Sequence, residues 1–143
     1  MNVAAILKSK GRAVATAKPE TTLLEISQRL AQKKIGAIII VGEAGKLAGI
    51  ISERDVIRAI SEHGAAALDQ PVSQVMTKAV IACRETSVLD ELMELMTKGR
   101  FRHLPVMEDD QLVGIVSIGD VVKNHIAEVE MEVTAMRGYL ATG

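Results

Sequence analysis

The apolar residues of the chain switch between helical and strand-like spacing, and the same order of elements occurs twice. In the first half, the capping-box pattern Thr22–Glu25 predicts the start of a helix, and the apolar run Ala37–Val41 predicts a buried strand. The complete predicted order is a strand at 13–16, a helix from 22, strands at 37–41 and 47–51, and a helix at 52–62.

The second half repeats this order after a linker. Its predicted elements are a strand at 79–82, a helix at 88–98, strands at 104–107 and 112–116, and a helix that runs from 117 to about residue 140. The predicted organisation is an N-terminal helical arm (1–12), a first repeat (13–64), a linker with a short helix (65–78), a second repeat (79–130) and a helical extension (131–143).

Both repeats close on the same polar signature, Gly-x-x-Ser-x-x-Asp. Residues 47–56 read LAGIISERDV, and residues 112–121 read LVGIVSIGDV. A unit this short cannot bury a core of its own, so the two copies must pair. We therefore predict an α/β (α+β) fold in which two strand-helix-strand-strand-helix repeats pack about a pseudo-two-fold axis.

Composition narrows the classes of function. The net charge of −1 and the near absence of aromatic residues argue against nucleic-acid binding, which needs basic surfaces or stacking platforms. The single cysteine, Cys83, lacks neighbours at metal-ligand spacing, so neither a disulfide framework nor a metal site is expected. With no signal peptide, membrane span or nucleophile pattern, we expect a cytoplasmic protein without catalytic residues.

The signature has a structural and a functional interpretation. Ser52 and Ser117 stand where a strand passes into a helix, with Asp55 and Asp120 three residues on. This is a capping pattern that stabilises a helix end by ~1 kcal/mol. The same place suits a nucleotide, because a helix N-terminus attracts phosphate and an Asp carboxylate accepts hydrogen bonds from ribose hydroxyls.

Basic residues next to the strands favour an anionic ligand. Arg102 and His103 enter the predicted strand at 104, where a charge needs a partner, whereas Gly36 and Ala37 stand there in the first repeat. Arg54 in the first signature is replaced by Gly119 in the second, which makes the two copies unequal in charge. Lys98 and Arg100 are interpreted as a solvated helix end.

The last helix carries a heptad stripe that continues past the repeat. Packing against its own domain and packing against a second subunit are both consistent with the spacing. The stripe consists of Val122, Ile126, Val129, Val133, Met136 and Leu140.

The two signatures, in register, resemble a tandem cystathionine-β-synthase (CBS) domain pair, also called a Bateman module. The resemblance rests on IGAIIIVGEAGKLAGIISERDV at 35–56 and RHLPVMEDDQLVGIVSIGDV at 102–121, and it covers about residues 10–130. It implies a stand-alone regulatory module that forms flat dimers and binds adenosyl compounds in clefts between the repeats. The expected ligands are AMP, ADP, ATP or NAD(H), with S-adenosylmethionine also known in the family.

Carried over from the family, the ligand contacts form two sets. The resemblance assigns the Asp to the ribose, the Ser to phosphate, and the strand residues of the opposite repeat to the rest of each pocket. The first set carries three cationic candidates and is expected to bind a phosphorylated nucleotide, whereas the second is expected to bind more weakly. The alternative is a structural dimerisation module whose pockets do not bind ligand. The first set is Ser52, Arg54, Asp55, Val80, Ala82, Phe101, Arg102 and His103, and the second is Val14, Thr16, Ile35, Gly36, Ala37, Ser117, Gly119 and Asp120.

Overall fold

The computed structural model describes residues 1–142, which divide into two compact units. The first unit contains Ala13–Ile81 together with Asp109–Leu112. The second unit contains Met1–Arg12, Ala82–Glu108 and the chain from Val113 onward. The N-terminal arm therefore belongs to the unit that holds the second repeat, and the linker belongs to the unit that holds the first.

The predicted mixture of helices and strands is confirmed, and most predicted elements form within two residues of their expected bounds. The strand predicted at 13–16 is reduced to the two residues Thr16–Ala17. In chain order the elements are α1 (Val3–Lys10), β1 (Thr16–Ala17), α2 (Leu23–Lys33), β2 (Ala37–Val41), β3 (Leu47–Ser52), α3 (Glu53–His63), α4 (Leu89–Gly99), β4 (His103–Glu108), β5 (Gln111–Ser117) and α5 (Ile118–Thr142).

The first unit is built on a three-stranded sheet in which β2 is central. Strand β2 pairs in parallel with β1 and antiparallel with β3, and the side chains of Ile38, Ile39 and Ile40 are completely buried. The Thr22 hydroxyl accepts a hydrogen bond from the Glu25 N–H at 3.2 Å, so the predicted cap of α2 is present. A sheet buried on both faces explains why β2 is a continuous apolar run.

One predicted strand does not form, and a proline accounts for it. Residues 79–82, all within the described part of the chain, are irregular, and pairing with β4 is reduced to a single bridge between Cys83 and Val106. In the first unit, Ile39 donates its N–H to the Ala15 carbonyl at 3.0 Å, which extends the β1–β2 ladder. Pro105 occupies the corresponding position of the second repeat and has no N–H to donate.

A segment from outside each repeat packs on it in the same way. In the second unit, Asn2 forms a bridge with Val88, and Leu7 lies so close to Gly114 that a Cβ there would approach it at 2.8 Å. In the first unit, Pro71 of the linker forms the equivalent bridge with Thr22. The short helix predicted in the linker is a 3₁₀ turn at Val72–Gln74, and it contributes a completely buried Val72 to the core.

Helix α5 extends for 25 residues, and its heptad stripe is exposed. Each of the six stripe side chains exposes between 43% and 69% of its surface, so the described chain leaves much of the stripe uncovered. Packing within its own domain therefore covers at most part of the stripe, and packing against a second subunit stays a prediction. Among the described helices, none has the length and apolarity required to cross a membrane.

The signature glycine Gly49 provides a test of the packing. A Cβ at this position would lie 2.6 Å from Met76 Sδ and 2.8 Å from the Thr77 carbonyl oxygen, which is backbone and cannot move aside. We expect Gly49→Ala to lower the free energy of unfolding by about 1–3 kcal/mol in urea titrations. Gly42→Ala is the control, because a Cβ there meets Ala48 at an ordinary 3.7 Å, and its effect should stay below about 1 kcal/mol. Equal effects of the two substitutions would contradict this account of Gly49.

Candidate functional site

The first signature forms a reciprocal cap at the start of α3. The Ser52 hydroxyl oxygen accepts a hydrogen bond from the Asp55 N–H at 3.3 Å, and Asp55 Oδ2 accepts one from the Ser52 N–H at 2.9 Å. The Ser52 hydroxyl also donates to Asp55 Oδ2 at 3.0 Å. Two of the free N–H groups at the strand-to-helix junction are thereby satisfied within the signature itself.

The second signature has the same geometry. Ser117 and Asp120 are joined by the same three hydrogen bonds at 3.3, 2.9 and 3.0 Å. The capping interpretation therefore holds in both repeats. In each, the contacts with the serine use Oδ2 of the carboxylate, and the other oxygen, Oδ1, is the one that can accept hydrogen bonds from a ligand.

Each signature lies beside the start of the middle strand of its own repeat. The Glu53 N–H donates to the Gly36 carbonyl at 3.0 Å, and the Ile118 N–H donates to the Arg102 carbonyl at 2.8 Å. Within the second unit, Arg102 is thus next to the second signature, while its assignment to the first signature stays a prediction. His103 follows as the first residue of β4 and is half-buried.

Lys10 is the site residue that the sequence reasoning missed. It is the last residue of α1, and its Nζ donates to Asp120 Oδ2 at 2.6 Å and to the Ile115 carbonyl at 2.9 Å. A signal was present, because the apolar spacing of Val3-x-x-Ile6-Leu7 recurs in the linker as Val72-x-x-Val75-Met76. That repetition implies that the arm packs on a repeat as the linker does, which brings Lys10 to a signature.

The surroundings of Asp120 favour its ionised form. Burial is the largest influence and opposes ionisation, but hydrogen bonds from Lys10 and Ser117 outweigh it, so the pKa of Asp120 is lowered. Asp55 is only 9% exposed, and its Oδ1 meets the Arg58 guanidinium at 3.4 Å. The two carboxylates therefore share a cap but differ in their cationic partner.

The other predicted site residues are distributed over the two units. A groove of about 440 Å³ in the first unit brings Ile35 and Gly36 together with Glu53, the residue after Ser52. Phe101 packs against the core of the second unit and lies over Gly99, where a Cβ would overlap the ring. Of the remaining predicted residues, one is buried, three are half-buried and three are exposed. The buried residue is Ala37, the half-buried ones are Val14, Val80 and Ala82, and the exposed ones are Thr16, Arg54 and Gly119.

Cys83 is a core residue in the second unit. It is buried beside Val106, and burial raises the pKa of its thiol to about 11. Across the described residues, no three His, Cys, Asp or Glu side chains are grouped so as to hold a metal ion.

Known proteins resemble this chain over most of its length. A family profile for the CBS domain matches residues 10–62 and 72–126. The CBS domain-containing protein CBSX3, mitochondrial, of Arabidopsis thaliana is 35% identical over 147 residues, which cover 96% of this chain and 71% of that protein.

Solved structures share the fold. The CBS-domain containing protein ATU1752 of Agrobacterium tumefaciens is 48% identical with a TM-score of 0.83, covering 85% of this chain and 91% of its own. The CBS domain pair of MJ0100, crystallised with 5′-methylthioadenosine and S-adenosyl-L-methionine, is 27% identical with a TM-score of 0.79 and covers 90% of this chain and 98% of its own.

The lowered pKa of Asp120 predicts how stability depends on pH. A carboxyl group whose pKa is lower in the folded state stabilises that state above its ordinary pKa, here 3.8, and the contribution disappears as pH falls through the folded pKa. We expect Asp120→Asn to unfold at lower urea concentration than the unmodified chain at about pH 7, and the difference to shrink steadily as pH falls below about 5 toward the lowered folded pKa. A difference that is independent of pH would show that the ionised carboxylate contributes nothing beyond its hydrogen bonds.

Proposed function

We propose that this chain, which belongs to the CBS domain family, is a stand-alone regulatory module that binds adenosine-containing nucleotides. The observation that carries the proposal is the identical Ser–Asp arrangement at both helix starts, which keeps one carboxylate oxygen of each Asp out of the contacts with its serine. The crystallisation of MJ0100 with two adenosyl compounds supports this class of ligand. Such a site suits a sensor rather than a catalyst.

The chemistry of each signature matches one end of a nucleotide. Oδ1 of Asp55 or Asp120 would accept from the ribose hydroxyls, while the helix N-terminus and the Ser hydroxyl would bind phosphate. The hydroxyl has one proton, which it donates to the Asp in the structure, so it must turn away from the carboxylate to donate to a phosphate oxygen.

The proposed ligands are AMP, ADP, ATP and NAD(H), bound by the residues assigned in the sequence analysis. Basic residues lie in or next to both signatures, with Arg54 and Arg58 at the first, and with Lys10 and the backbone of Arg102 at the second. Because the chain has one Phe, one Tyr and no Trp, we expect the base to pack mainly against aliphatic side chains. A ligand that binds two conformations unequally would shift their populations, which is the regulatory mechanism we propose.

A homodimer joined through helices, including the stripe of α5, is part of the proposal. The stripe is exposed along more than half of a 25-residue helix, and an apolar face of this kind is stabilised by a second copy of itself. This same observation favours the second candidate function, a structural dimerisation module without ligand. A cytoplasmic location remains a prediction from the sequence.

Nucleotide binding is tested by thermal unfolding and calorimetry with AMP, ADP, ATP, NAD(H) and S-adenosylmethionine. A ligand at about 100 times its dissociation constant adds about 2.7 kcal/mol to the free energy of unfolding. Asp55→Asn and Asp120→Asn should each weaken binding at one signature about tenfold or more, because Asn keeps one oxygen for the cap and loses the second acceptor.

Two outcomes would decide against this proposal. If no ligand stabilises the chain at millimolar concentration, the dimerisation module becomes the better account. If Asp55→Ala lowers stability but neither Asp55→Asn nor Asp120→Asn changes nucleotide affinity, the signature acts only as a helix cap.

Dimerisation is tested by placing a charge on the stripe. Val133→Glu should shift the chain from dimer to monomer in analytical ultracentrifugation, because the carboxylate would be buried without a partner in the paired helices. Met131→Glu is the matched control on the same helix, since Met131 is 69% exposed and lies off the stripe. A monomeric unmodified chain, or equal effects of both variants, would exclude the stripe as the interface.

A further inference from the structure

The geometry points to Lys10 as a specificity residue that makes the second signature prefer phosphorylated adenosine ligands over uncharged and cationic ones. The inference rests on the proposed function, and it concerns only the second unit. The contact of Asp120 with ribose does not distinguish these ligands, because AMP, adenosine and S-adenosylmethionine all carry the ribose that Asp120 would bind.

Lys10 is held at Asp120 by the fold of the arm. Its helix is anchored by the buried side chains of Val3, Ile6 and Leu7, and the N-terminal amino group pairs with Glu128 Oε1 at 2.8 Å. The ammonium group donates to Asp120 and to the Ile115 carbonyl, which uses two of its three N–H donors. The third can be offered to a ligand oxygen beside the carboxylate.

The charge balance of the second signature depends on this contact. Asp120 carries a full negative charge, since its pKa is lowered, and an uncompensated carboxylate would repel a phosphate bound at the same helix start. Lys10 cancels that charge at a distance of 2.6 Å, with only 30% of its side chain exposed to screening solvent. Replacing Lys10 by an uncharged side chain would turn a neutral pair into an anionic site.

A site with net negative charge favours a cationic ligand, whereas the positive charge of Lys10 favours an anionic one. The sulfonium centre of S-adenosylmethionine is positive, so it is attracted by a lone carboxylate and repelled by an ammonium group. Adenosine is uncharged and responds little to either. The three ligands therefore report the sign of the local field while keeping the same ribose contact.

Among the described residues, no lysine contacts Asp55 as Lys10 contacts Asp120. When the arm and the linker are aligned so that Leu7 matches Met76, the residue that matches Lys10 is Ala79. Asp55 instead meets Arg58 of its own helix, at 3.4 Å and with 65% of the arginine side chain exposed. The selectivity we infer is thus a property of one signature, and it has to be measured there.

The experiment uses Asp55→Asn as the background, so that the second signature provides the binding. Calorimetry with AMP, adenosine and S-adenosylmethionine is carried out on this variant alone and on this variant combined with Lys10→Met or Lys10→Arg. The Asp55→Asn/Asp120→Asn double variant, in which both signatures are changed, is the blank. We expect Lys10→Met to lower the ratio of AMP affinity to adenosine affinity about fivefold or more and to improve S-adenosylmethionine relative to adenosine. Lys10→Arg should keep both ratios, because it keeps the charge.

Ratios within one variant cancel any general loss of stability, which thermal unfolding without ligand measures separately. Unchanged ratios in Lys10→Met would overturn the inference. An equal gain in affinity for all three ligands would overturn it as well, because Lys10 would then only compete with the ribose for Asp120. If the unmodified chain binds nucleotide but the Asp55→Asn background does not, the second signature is not a ligand site and the inference fails while the proposed function stands. If the unmodified chain binds none of the ligands, it is the proposed function that fails.

Discussion

Leu7 lies on Gly114 and Met76 lies on Gly49, and in both cases the covering side chain comes from a segment outside the repeat that it covers. A Cβ at either glycine would approach the covering residue at 2.8 or 2.6 Å, so a side chain there would force the covering residue to shift. The contact fixes where the arm and the linker can lie. The position of Lys10 three residues after Leu7, and with it the environment of Asp120, follows from that placement.

The Ser–Asp pair serves the fold and the proposed function with different atoms. Capping uses the backbone N–H groups, the serine hydroxyl and Oδ2, while recognition of ribose would use Oδ1. The structural and functional interpretations of the signature, which compete when only the residues are considered, are therefore compatible in three dimensions. A carboxylate held rigidly by its own cap is also pre-organised for a ligand, because its orientation is fixed before binding.

The local elements could be predicted from the sequence because their signals are local. The cap at Thr22, the apolar run of β2 and the helix after Ser52 each depend on neighbouring residues, and all three are present. The strand expected at 79–82 failed because its pairing depends on Pro105, which is distant in sequence. The contact of Lys10 with Asp120 spans 110 residues and is visible only once the arm is known to pack on the second repeat. The charge difference between the two signatures that the sequence predicts omits the positive charge of Lys10 for the same reason.

The arm also has a consequence for how the chain acquires its structure. Contacts of Met1, Val3 and Lys10 are made with Glu128, Ser87 and Asp120, which are synthesised long after them, whereas the linker packs on elements that precede it directly. Residues 13–81 can form their core as soon as they are synthesised. Val3, Ile6 and Leu7 stay exposed until the residues that they pack against in the second unit have been synthesised. Because the loop-closure entropy of this long-range contact opposes early docking, we expect the arm to join the folded chain late.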